Sequence, residues 1–81
     1  MIYRNGWEIE LSKHALEQAK EREIYPDMIV ATLKTGRIER FGGGRMLFIN
    51  EYKRGKIICV GEIKMPGKIT IFTVEGDKYE R

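Results

Sequence analysis

The chain is poor in the residue types on which most small-protein chemistry rests. Its 81 residues include one histidine, His14, one cysteine, Cys59, one tryptophan, Trp7, and one serine, Ser12. A lone cysteine excludes an intramolecular disulfide framework, and with a single histidine it cannot supply the ligands of a structural zinc site. No carboxylates are spaced to converge on a divalent ion, so neither a metal nor any other cofactor is expected. Ser12 and His14 lie too close in sequence for the usual serine-triad geometry. No apolar run approaches the roughly 20 residues of a membrane span, and the first residues carry no long apolar run, so no targeting segment is expected. The expectation is a cytoplasmic protein with no membrane partner.

Amides are also scarce, only Asn5, Gln18 and Asn50, while charged residues make up 33% of the chain. That balance resembles thermophile proteins. The length allows one domain, residues 1–81, with a single modest core and with residues 76–81 expected as a frayed tail.

The net charge of +3 is unevenly distributed. Between Lys34 and Lys68, nine basic residues face three acids, a net of +6, whereas the flanking segments sum to −2 and −1. A basic second half suits a polyanion such as RNA or an acidic protein segment, although solvated strand and turn lysines give the same pattern.

Trp7-Glu8-Ile9-Glu10-Leu11 alternates with period two and predicts a half-buried strand, extended by Ile2-Tyr3 with an interruption at Asn5-Gly6. Ser12 is a good N-cap for a helix carrying Leu11, Ala15, Leu16 and Ala19 on one side. His14, Gln18 and Arg22 form an i, i+4, i+8 ridge along its edge. Pro26 suits the first position of a second helix, which ends at Gly36 and is apolar on most sides. From there the period changes to that of strands: Arg37 to Phe41, Arg45 to Tyr52, Ile57 to Ile63 and Ile69 to Val74. The predicted fold is α+β in the order β-α-α-β-β-β(-β), with two N-terminal helices packed on one face of a twisted antiparallel sheet. The triplet Gly42-Gly43-Gly44 lacks the motif of a P-loop or a dinucleotide site and is read as a hairpin tip, whose flanking Arg40 and Arg45 could touch a phosphate backbone.

Three stretches carry a resemblance: Leu11-Ser12-x-His14-Ala15-x6-Arg22, Tyr25-Pro26-x-x-Ile29 to Gly36, and Ile69-x-Ile71-x-Thr73-Val74. Over about residues 7–75 the pattern is similar to the small prokaryotic family called domain of unknown function 4258, which is related in fold to the RelE/ParE toxins. The resemblance implies a RelE-like fold and a toxin-like, metal-independent endoribonuclease. It assigns site roles to His14, Arg22 and Thr73. Where the family often has Arg-Gly-Ile, this chain has Arg22-Glu23-Ile24.

Cleavage without a metal requires a base for the 2′-hydroxyl, an acid for the leaving oxygen and cations for the phosphorane. His14 is the candidate acid or base and Arg22 the candidate charge stabiliser, with Thr73 or Tyr52 to position the ribose. Arg45, Lys53, Arg54 and Lys56 are candidates for holding flanking phosphates, and Glu21, Glu62 or Tyr52 for the second proton transfer. The expected partners are RNA, on the ribosome or off it, and an antitoxin protein. The competing readings are a non-catalytic module that binds RNA or an acidic peptide, and an interaction protein whose strand edge pairs with an antitoxin segment or a second copy of itself.

Overall fold

Asn5 and Gly6 adopt φ of +53° and +83°, the consecutive left-handed residues of a type I′ hairpin turn. They join β1 (Ile2–Arg4) to β2 (Trp7–Leu11), antiparallel strands with Ile2 opposite Ile9 and Arg4 opposite Trp7. The stretch expected to be one interrupted strand is therefore two. The computed structural model describes residues 2–52 and 55–78. After β2 come α1 (Lys13–Glu21), α2 (Pro26–Thr35), β3 (Arg37–Phe41), a 3₁₀ turn at Gly42–Gly44, β4 (Arg45–Tyr52), β5 (Gly55–Met65) and β6 (Lys68–Lys78).

The six strands form one sheet in the order β1-β2-β6-β5-β4-β3. β2 runs parallel to β6, with Glu8 opposite Lys68 and Leu11 opposite Ile71, and the other pairings are antiparallel. The RelE-like antiparallel architecture with two N-terminal helices is thus corrected on two counts: the sheet is mixed, and a two-strand hairpin precedes the helices. Alternation of apolar and polar residues reports which face a side chain takes and carries no information on strand direction. β6 also continues through Lys78, paired with Gly55, three residues into the stretch expected to fray.

Both helices contribute to one core. Ala15 and Ala19 of α1 and Ile29 and Leu33 of α2 pack with Ile9, Phe48, Cys59, Ile71 and Val74 of the sheet, all buried. The Ser12 hydroxyl accepts from the Ala15 amide at 3.1 Å, as the sequence predicts for an N-cap. Leu16, expected on the buried side, is exposed.

The end of α1 departs from its sequence signal. Glu23 sits at φ +58°, its amide donates to the Lys20 carbonyl at 3.2 Å, and the Ile24 amide reaches back to Ala19 at 2.9 Å. These bonds form a Schellman ending with a glutamate at the left-handed position where glycine is favoured. Gly36, after α2, is required for a different reason. A Cβ there would stand 2.5 Å from the Thr32 carbonyl oxygen and 2.8 Å from that of Ile49, so the helix end lies too close to β4 for any side chain.

In β6 the buried positions change parity, from Ile69 and Ile71 to Val74. The register shows why: Val60 faces Thr73 while Gly61 faces Ile71, so Phe72 is an extra residue, a β-bulge. The apolar run over residues 69–74 records this shift of face.

Candidate nucleic-acid interface

The ridge His14, Gln18 and Arg22 lies on α1 beside β6, at the point where β2 ends. The last backbone link between β2 and β6 is the Ser12 amide on the Ile71 carbonyl, 2.9 Å. Beyond it, the side chains of Gln18 in α1 and of Arg22 at its C-cap take over the strand's edge. The Val74 amide donates to Gln18 Oε1 at 3.2 Å, and Arg22 Nη1 donates to the Val74 carbonyl at 2.9 Å. Side chains here substitute for a missing neighbour strand, satisfying backbone groups that would otherwise remain unpaired. His14, the first member of the ridge, is exposed.

The three residues given catalytic roles are not brought to one point. Arg22 is engaged by the backbone of β6. Val74 is fully buried toward the core side, so Thr73, its neighbour in an extended strand and the register partner of Val60, faces the opposite side of the sheet.

The expected phosphate contacts fare unevenly. Arg45 lies 3.4 Å from the Glu62 carboxylate, with its guanidinium carbon 5.4 Å from the Phe72 ring centroid. Tyr52 accepts a hydrogen bond from Asn50 at 3.2 Å and is exposed. Lys56 is half-buried in β5, opposite Glu51. Lys53 and Arg54 lie outside the described residues. Other cations of this face are also matched: Arg37 with Glu39 at 3.3 Å, Lys64 with Glu62 at 3.9 Å and Lys68 with Glu10 at 3.1 Å. The hydrogen bond and charge of Glu10, with the charge of Glu8, raise the pKa of Lys68 above its ordinary value. Four of the nine cations between Lys34 and Lys68, namely Arg37, Arg45, Lys64 and Lys68, thus stand in ion pairs along the half-buried face of the sheet.

A different group of residues, of which the sequence singled out only Arg40, forms another site. The I′ turn folds β1 back on β2, which places Arg4, Asn5 and Trp7 around one end of the sheet, and Arg40 of β3 reaches the same place. They line a cavity of about 190 Å³ whose floor includes Ile9, Met46, Phe48 and Ile69. No carboxylate lines it. Arg4 is held there by the end of α2, its Nη1 donating to the carbonyl of Gly36 at 2.8 Å and to that of Leu33 at 3.3 Å. Those carbonyls are the negative end of the helix dipole, a favourable seat for a guanidinium. Arg40 is exposed and, among the described residues, has neither an ion-pair nor a hydrogen-bond partner. The dipeptide Asn5-Gly6 was the available signal, since it is the strongest short-range mark of a hairpin and brings Arg4 and Trp7 together.

A second, larger hollow of about 590 Å³ lies between α1 and α2, lined by Leu11, Leu16, Ile24, Tyr25 and Val30 and framed by Lys20 and Glu23. It is apolar, with charges of both signs at its border. No helix among the described residues is long and apolar enough to cross a membrane.

No family model matches the chain, and no curated protein or solved structure is significantly similar to it.

Proposed function

We propose that this domain is a small non-catalytic RNA-binding module, and that its contact surface is the end of the sheet around Arg4 and Arg40 rather than the α1 ridge. One observation carries the reading. Two guanidiniums, an amide and a tryptophan line one cavity without a carboxylate, whereas the arginines and lysines of the half-buried sheet face stand beside glutamates. Single-stranded RNA is recognised by this combination of cations for phosphate, a ring for stacking and an amide for base edges.

Binding without cleavage is favoured because the cavity lining contains no histidine, carboxylate or tyrosine that could move a proton. The endoribonuclease reading would need His14 and Arg22 to act together, and Arg22 Nη1 is already given to the Val74 carbonyl.

The test is the binding of a labelled single-stranded RNA by fluorescence anisotropy at several salt concentrations, with the RNA recovered afterwards in chelator. Salt-sensitive binding with intact RNA supports the proposal. Strand scission that disappears in His14→Ala would favour the nuclease reading. Absence of binding at low salt would leave a protein partner as the remaining class.

A further inference from the structure

We propose that the Arg4/Arg40 cavity receives a single unstacked base of an RNA strand, with the phosphate of that nucleotide on Arg40. This inference rests on the RNA-binding reading and specifies how that site works. Size is the first argument. At about 190 Å³, the cavity is smaller than the roughly 300–1,000 Å³ of pockets that enclose drug-sized ligands. That size suits one planar heterocycle, with its sugar and phosphate toward the rim.

Chemistry matches the division. The floor is aliphatic and aromatic, suited to the faces of a base, and Trp7 on the wall offers an indole for stacking. Asn5, held at the turn by its positive φ, carries both a donor and an acceptor at the mouth, which is what reading a base edge requires. Arg40, with no partner among the described residues, is the cation left for the phosphate, since Arg4 is committed in part to the end of α2. A base can enter only after leaving its stack, so the site discriminates against duplex RNA.

Trp7 is the sole tryptophan, so its fluorescence reports occupancy of the cavity directly. The experiment titrates the full chain with the four nucleoside 5′-monophosphates, the matching nucleosides and a labelled single-stranded oligonucleotide, following both tryptophan emission and anisotropy of the label. The expected result is quenching by at least one monophosphate, about tenfold weaker binding of the nucleoside, and the same loss when Arg40→Gln is given the monophosphate. Asn5→Gly keeps the left-handed turn and removes the amide; it is expected to level the differences among the four monophosphates. Oligonucleotide binding seen by anisotropy with unchanged tryptophan emission, and unaffected by Arg40→Gln, would overturn the base pocket while leaving the RNA reading standing. Duplex binding as tight as single-strand binding would overturn it too. No anisotropy change with any RNA would remove both.

Discussion

Arg22 Nη1 and the carbonyl of Val74 are joined by a 2.9 Å hydrogen bond across 52 positions of sequence. With Gln18 accepting from the amide of the same residue, it makes α1 the lateral neighbour of β6 where β2 has ended. Two of the three ridge residues, Gln18 and Arg22, thus fasten the helix to the sheet.

Removing either fastening should therefore weaken the fold. Arg22→Ala and Gln18→Ala are each expected to lower stability by about 1–2 kcal/mol, the cost of leaving a partly buried backbone group without its partner. Because both act on Val74, the double variant should lose less than the sum. His14→Ala should stay within about 0.5 kcal/mol of the parent, as an exposed site does. Urea denaturation measures all four, and loss of hydrogen-exchange protection at the Val74 amide in Gln18→Ala identifies the cause.

Glu23 occupies a left-handed position that disfavours a side chain. Glu23→Gly is expected to be more stable than Glu23→Ala by about 0.5–1 kcal/mol, since both lose the glutamate side chain and only glycine relieves the left-handed strain. A thermal denaturation midpoint for Glu23→Gly equal to or below that of Glu23→Ala would contradict this account of the helix ending.

Gly36 and Gly42 should respond differently to alanine. At Gly36 the new Cβ meets two backbone oxygens at 2.5 and 2.8 Å, whereas at Gly42 nothing lies within 4 Å. Gly36→Ala is expected to cost more than about 2 kcal/mol through displacement of α2 from β4. Gly42→Ala should be close to neutral. Denaturant midpoints compare the two.

Burial pushes the Cys59 thiol from 9.0 up to about 12. Below pH 9 the thiol is neutral whether folded or unfolded and adds no pH dependence. Between pH 9 and about 12 the unfolded chain releases the proton and the folded chain keeps it. The unfolded state then binds fewer protons, so stability falls as pH rises, by up to about 1.4 kcal/mol per unit. Cys59→Ala lacks this term. The stability gap between parent and Cys59→Ala should accordingly narrow from pH 9 upward, and native Cys59 should resist thiol reagents at pH 8.

The elements were legible in the sequence where local chemistry decides them. Ser12 announces α1, Pro26 and Gly36 bound α2, and the glycine triplet joins β3 to β4. What could not be read was whatever depends on meetings between distant segments. Nothing in Trp7 to Leu11 reveals that its neighbour is β6 or that the two run in parallel. The ridge of His14, Gln18 and Arg22 was visible, but its destination, the backbone of Val74, was not. Likewise, the count of cations from Lys34 to Lys68 could not show that Arg45 and Lys68 would be matched by Glu62 and Glu10. Arg4 and Arg40, 36 positions apart in the sequence, become neighbours of one cavity only through the curvature that brings the two edges of the sheet toward each other.

The most direct measurement is the salt dependence of single-stranded RNA affinity in the parent, Arg40→Gln and Arg45→Gln. Each phosphate contact contributes about −0.7 to the slope of log K against log salt for a single strand. Arg40→Gln should bind more weakly at low salt with a slope shallower by about that amount, while Arg45→Gln, whose guanidinium is matched by Glu62, should keep the parent's slope. The reverse pattern, with Arg45 carrying the salt dependence and Arg40 contributing nothing, would contradict the placement of the RNA surface at the Arg4 and Arg40 end of the sheet.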